Sequence, residues 1–118
     1  MRDHTGLKAF GLADEVVLLI YQVTRQFPEQ EKYGLVSQMR RAAVSVPSNI
    51  VEGCSRESRI EYIRFLEIAF GSLRELHYQF DLSKRLGYSI DDNSSVCEAK
   101  IIETEKVLGA LLRAKRNT

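Results

Sequence analysis

Apolar residues recur every three or four positions along most of this chain, and no stretch alternates apolar and polar residues as a β-strand would. Such spacing places apolar side chains on one face of a helix. The pattern breaks at Pro28, where the preceding residue disfavours helical geometry, and at Gly87, where the third helix is expected to stop. It predicts four helices, over about residues 9–26, 33–52, 58–86 and 94–115. Their predicted core positions include Val16 and Ile20, Met39 and Val46, Leu66 and Leu73, and Ile101 and Leu108.

Other residues in the sequence are of the types that are typical of helix ends. Gly53 is expected to form a left-handed cap after the second helix. Ser58 with Glu61, and Ser95 with Glu98, fit the capping box, in which a hydroxyl and an acid three residues later satisfy free backbone N–H groups. The sequence thus predicts capped starts for the third and fourth helices.

Four amphipathic helices joined by short links predict an all-α fold, an up-down antiparallel four-helix bundle in a single domain of residues 1–118.

The start, MRDHTG, lacks the apolar segment of a signal peptide, and the longest apolar run, VVLLIY, is too short to span a bilayer. Cys54 and Cys97 have no metal-like spacing and are expected to be reduced thiols, with Arg56 lowering the pKa of Cys54. These features predict a cytoplasmic protein.

Pro47 lies inside the second predicted helix. It cannot donate a hydrogen bond to the carbonyl of Ala43, so it predicts a bend. Polar residues at helical spacing line one face beside this bend, where Ser45 and Asn49 are able to bond backbone groups. This polar column consists of Gln38, Arg41, Ser45, Asn49 and Glu52. Two interpretations are open: the column satisfies a bent helix and ties it to a neighbour, or it forms a surface for a ligand or partner.

The third predicted helix carries a second apolar face opposite its core stripe. Gly71 in mid-helix costs about 1 kcal/mol relative to alanine, and close approach of another backbone would explain it. The sequence therefore predicts a subunit interface here, with scattered surface residues as the alternative. The residues of this outer face are Ile60, Arg64, Ile68, Gly71, Glu75, Tyr78 and Leu82.

The net charge is only +1, but it is unevenly distributed. Residues 32–59 hold five basic and two acidic side chains, which gives +3. Arg40, Arg41, Arg56 and Arg59 are the candidate phosphate contacts in this segment, against the alternative that they only solvate helix faces. Tyr33 and Tyr62 have rings that can stack on bases, although Tyr62 falls on the core stripe and is expected to pack there.

No arrangement typical of an enzyme appears in the sequence. No nucleophile stands beside a base, no glycine-rich phosphate loop occurs, and the carboxylates and histidines lack the spacing of a di-iron or other metal site. The sequence predicts a protein without enzymatic activity, cofactor or metal.

Four segments, FPEQEKYGL, QMRRAAVSVPSNIVEG, FLEIAFGSLRELHYQF and RLGY, occur in an order and spacing that closely resemble the bacterial four-helix proteins encoded by 23S rRNA intervening sequences. The resemblance covers about residues 8–112. It implies an up-down bundle that assembles into a ring-shaped homopentamer. It also implies kinship with the accessory variability protein of diversity-generating retroelements, a basic pentameric barrel that binds nucleic acid and a reverse transcriptase.

The resemblance also implies roles for single residues. The motif residues Ser45, Pro47, Asn49, Glu52 and Gly53 look like bundle architecture, as do Gly71, Ser72 and Glu75. The chain is less basic than the accessory protein, which weakens the nucleic-acid expectation. Together, residues and resemblance predict a non-enzymatic oligomeric module that binds RNA or DNA through a basic surface. The alternative is a protein-interaction scaffold that binds no nucleic acid.

Overall fold

The structure is a computed structural model, and it describes residues 2–118. Helices α1 to α4 span Lys8–Thr24, Leu35–Cys54, Arg59–Arg85 and Asp92–Arg116, and these residues form no β-strand. All predicted helix ends lie within two residues of the observed ones. Two single turns of 3₁₀-helix, His4–Gly6 and Glu29–Glu31, were not predicted.

Each helix packs against two neighbours. α1 and α3 both contact α2 and α4, and the most extensive pairing is that of α2 with α3. The links of residues 25–34, 55–58 and 86–91 each join two helices that pack against each other, as in an antiparallel bundle. This all-helical packing, about 44 × 24 × 20 Å in extent, is consistent with the predicted up-down bundle.

The two ends of the bundle carry different parts of the chain. The backbone N–H of Arg2 donates to the carbonyl of Cys54, and Arg59 donates to the carbonyl of Lys115. Both chain ends therefore lie beside the α2–α3 turn, and we call this the terminal end. The links 25–34 and 86–91 form the opposite end, the link end.

The apolar stripes of the four helices meet in one core. Ile20 of α1, Met39 of α2, Leu66 of α3 and Ile101 of α4 are all fully buried. The core prediction is confirmed, and burial of these stripes accounts for the packing of four helices that would not be stable alone.

The end of α3 is formed as predicted. Gly87 has φ +83°, a conformation that glycine adopts without steric cost. The N–H of Gly87 donates to the carbonyl of Lys84, and that of Tyr88 to the carbonyl of Ser83, at 2.9 and 2.8 Å. These bonds form a Schellman motif, which ends the helix.

The left-handed cap predicted at Gly53 is wrong. Gly53 is the penultimate residue of α2, and Gly87 has the only positive φ within residues 2–118. A Cβ at Gly53 would lie 2.9 Å from the Cβ of Phe65. The residue at this position must be small because α2 and α3 approach each other closely there.

The two predicted capping boxes have different outcomes. The hydroxyl of Ser58 accepts from the backbone N–H of Glu61 at 3.3 Å, which confirms the first cap. The second is wrong, because the cap of α4 is Asp91, whose carboxylate accepts from the N–H of Ser94. Asp91 satisfies the first turn four residues before the predicted cap, and Ser95 lies within α4.

The polar column connects α2 with α3. The hydroxyls of Ser45 and Ser72 lie 2.8 Å apart, and the Asn49 amide donates to the carbonyl and the hydroxyl of Ser45 at 2.8 and 3.0 Å. The carbonyl that Asn49 reaches belongs to Ser45, not to Ala43. α2 continues through the buried Pro47 as one helix, and the bend stays a prediction.

Candidate nucleic-acid interface

An open groove runs along the exposed face of α2 from the link end towards the helix centre. It consists of two adjoining recesses of about 630 and 520 Å³. α1 borders one side and α3 the other, with α2 as the floor. The residues that line both recesses are Tyr33, Ser37, Arg41 and Ser45.

Three basic side chains line the α1 side and floor of this groove: Lys32, Arg40 and Arg41. Arg40 is held by α1, because its Nε donates to the hydroxyl of Thr24 at 3.0 Å and its guanidinium lies 4.5 Å from the ring centroid of Tyr21. Arg41 is exposed. Two arginines that are adjacent in sequence therefore have different surroundings: Arg40 packs against α1, and Arg41 is open to solvent.

Two tyrosines accompany these cations. Tyr33 is 88% exposed, and the ammonium of Lys32 lies 5.6 Å from its ring centroid. Tyr21 of α1 also lines the groove. Tyr62 is 2% exposed and packs in the core, as the sequence predicted. Sequence reasoning missed Tyr21, because it lies at the edge of the apolar face of α1 and nothing local points to the groove.

The α3 side of the groove has a different chemistry. Ser72, Glu75 and Gln79 line it. Gln79 is 5% exposed, and its buried Oε1 atom has no hydrogen-bond partner in the part of the chain that the structure describes. This side therefore offers the exposed carboxylate of Glu75 as an acceptor across from Lys32 and Arg40, while Arg41 lines both recesses.

The four predicted arginines do not form one group. Arg56 and Arg59 lie at the terminal end, and α2 alone separates Arg41 from that end by roughly 20 Å. Arg56 pairs with Glu52 at 3.2 Å, and Arg59 donates to the carbonyl of Lys115 at 2.6 Å. The groove brings together only the first two predicted arginines, with Lys32 as a third cation.

The family model described as 23S rRNA-intervening sequence protein matches residues 5–110. This chain belongs to that family. The predicted membership is confirmed over nearly the whole chain. No curated protein matches the chain.

A solved structure resembles this intervening-sequence protein in fold. It is the crystal structure of a protein with unknown function from the S23 ribosomal protein family of Bacteroides thetaiotaomicron VPI-5482. The TM-score is 0.79 at 22% identity, covering 89% of this chain and 95% of that chain. At this identity the likeness concerns the fold.

The outer face of α3 in the intervening-sequence protein is largely open to solvent. Ile60, Ile68 and Tyr78 are 77, 43 and 60% exposed. A Cβ at Gly71 would meet nothing within 4 Å, so no part of the same chain explains this glycine. Of the remaining predicted members, Arg64 and Glu75 are exposed and Leu82 packs partly against the core.

The two thiols are buried, and the prediction for Cys54 is wrong. Burial raises the pKa of Cys54, and the nearby guanidinium is that of Arg2 rather than Arg56. Burial together with the carboxylate of Glu98 raises the pKa of Cys97 to about 12. Residues 2–118 contain no cluster of three or more metal-ligating side chains, and none of their helices is long and apolar enough to cross a membrane.

Proposed function

We propose that this intervening-sequence protein is a non-enzymatic, cytoplasmic, oligomeric module that binds the phosphate backbone of RNA or DNA in the α2 groove. The observation that carries the proposal is the convergence of Lys32, Arg40 and Arg41 on one open groove beside the exposed ring of Tyr33. Cations next to exposed aromatic rings are the usual components of nucleic-acid surfaces. Two buried free thiols agree with a reducing compartment.

The oligomer in this proposal is a ring of five copies that meet through Ile60, Ile68, Gly71 and Tyr78 of the outer face of α3, and Glu75 at the edge of that face stays in the groove that it lines. Three large apolar side chains exposed on one helix, together with a mid-helix glycine that no atom of its own chain approaches, support such a contact. A ring would repeat the groove around one circumference. Repetition matters because the net charge of a single chain is only +1.

Arg56 and Arg59 have a smaller part in this proposal. Both already have partners at the terminal end. A phosphate contact there stays a prediction from the sequence.

The proposal is tested by the salt dependence of RNA and DNA binding, measured by fluorescence anisotropy. Three phosphate contacts per groove give a slope of log affinity against log salt of roughly −2 to −3. Arg41→Glu is expected to weaken binding strongly and to reduce the magnitude of the slope by at least about 1. Arg41 is the better site than Arg40, because a change at Arg40 would also break its contacts with Thr24 and Tyr21.

Lys106→Glu is the matched control, since it makes the same charge change at an exposed position on α4. It should leave the affinity close to that of the native chain. Binding that Arg41→Glu and added salt both leave unchanged would rule out the phosphate groove.

A further inference from the structure

The two sides of the α2 groove differ in hydrogen-bonding chemistry. Lys32 and Arg40 on the α1 side, with Arg41 on the floor shared by both recesses, offer only donors, which suit phosphate oxygens. The exposed carboxylate of Glu75 on the α3 side offers acceptors. A ligand that fits both sides must carry anionic groups along one edge and hydrogen-bond donors along the other. A nucleic-acid strand has this arrangement, with phosphates on one edge and bases on the other.

The side chain of Tyr33 adds a further requirement that a ligand of the groove must meet. Its ring is 88% exposed at the mouth of the groove and so is available to cover the face of a base. Stacking of this kind needs an unpaired base, because a duplex hides both the faces and the pairing edges of its bases. The exposed ring therefore favours a single strand over a double helix.

The acceptors on α3 also restrict the base. The acceptor that a ligand reaches is the exposed carboxylate of Glu75, since the Oε1 atom of Gln79 is itself buried. The carboxylate of Glu75 takes the two adjacent donors of guanine, N1–H and N2–H₂, or the amino group of cytosine or adenine. Uracil and thymine have no amino group, and their one donor, N3–H, lies between two carbonyl oxygens that a carboxylate repels.

We infer that the α2 groove takes a single strand with its phosphates on the cationic side and its base edges towards Glu75, and that it prefers bases with an exocyclic amino group, guanine foremost. The inference depends on the proposed function, because Lys32, Arg40 and Arg41 must supply the phosphate contacts.

The test compares oligonucleotides by fluorescence anisotropy with the full chain. The probes are an oligouridine of about twelve nucleotides, the same strand with one central guanosine, and a duplex of equal length. The strand with guanosine is expected to bind about tenfold more tightly than oligouridine, and the duplex more weakly than either. Glu75→Gln should abolish the preference for guanosine and retain binding to oligouridine. Glu57→Gln, an exposed acid at the terminal end, is the matched control and should keep the preference.

Tyr33→Leu and Tyr33→Phe test the stacking. Leucine should weaken single-strand binding about tenfold, and phenylalanine should restore it, because it keeps the ring. Neither change should alter the melting temperature, since the side chain is 88% exposed. Equal affinity for the two single strands, or tighter binding of the duplex, would overturn the inference. The proposed phosphate groove would still stand in that case if Arg41→Glu weakens binding. Absence of binding to all three probes would overturn both.

Discussion

At the turn between α3 and α4, a single residue adopts a backbone conformation that other residue types avoid. Gly87 has φ +83°, and the bonds around it close the last turn of α3. The buried hydroxyls of Ser83 and Ser89 lie 2.6 Å apart across the same turn. The geometry of this link therefore depends on the missing Cβ of residue 87.

Gly87→Ala is expected to lower the free energy of unfolding by about 1 to 2 kcal/mol, the cost of a Cβ in the left-handed region. Gly11→Ala is the control, since a Cβ there meets nothing within 4 Å and the residue lies within α1. This second change should raise stability by roughly 0.5 to 1 kcal/mol. Urea unfolding followed by circular dichroism measures both values. Similar effects at the two positions would contradict the role given to Gly87.

At the scale of single residues, the sequence could predict those roles that depend only on residues nearby in the chain. Gly87 and Ser58 act on their own helix ends, and the sequence near each contains the necessary information. The role of Gly53 could not be predicted, because the reason for its small size is Phe65 on another helix. The same limit applies to Tyr21, whose place in the groove depends on how α1 packs beside α2.

At the scale of helices, the pairing of α2 with α3 combines apolar burial with a small polar contact. The hydroxyls of Ser45 and Ser72 join the two helices, and the amide of Asn49 donates to Ser45 on its own helix. The helices themselves could be predicted from hydrophobic spacing alone, because each presents one apolar face to the common core. The groove could not, because it exists only when α1, α2 and α3 lie side by side.

Ser45→Ala is expected to cost about 1 kcal/mol of stability, since it removes the hydroxyl that pairs with Ser72. Ser48→Ala, at an exposed position of the same helix, should change stability by no more than about 0.5 kcal/mol and corrects for helix propensity. Adding Ser72→Ala to Ser45→Ala should cost less than the sum of the two single changes, as measured in a double-mutant cycle by urea unfolding. Strict additivity would mean that the contact contributes nothing.

At the scale of the whole molecule, the outer face of α3 connects fold with assembly. Apolar side chains are exposed there, and Gly71 has free space above it. The sequence could predict the existence of this face, because it shares the helical spacing of the core stripe. The separation of Arg40 and Arg41 from Arg56 and Arg59 also follows from the predicted helix, at about 1.5 Å per residue, but a count of charges along the sequence leaves that length out.

The native chain is expected to have a mass in solution that is a multiple of 13.5 kDa, fivefold for the proposed ring. Gly71→Arg and Ile68→Arg should each reduce it towards the mass of one chain, because an arginine would occupy the contact. Gly11→Arg is the matched control, a glycine on α1 with equally open surroundings. Light scattering coupled to size-exclusion chromatography gives the masses. A native chain that elutes as a monomer, or loss of assembly in all three variants, would contradict an interface on this face.

The position of both chain ends has a practical consequence. Arg2 is bound to the carbonyl of Cys54, and Lys115 to Arg59, so a tag fused at either terminus emerges about 30 Å from Tyr33. A sensor surface that captures the protein by such a tag would leave the groove facing the solution, and immobilised protein should bind oligonucleotides as free protein does.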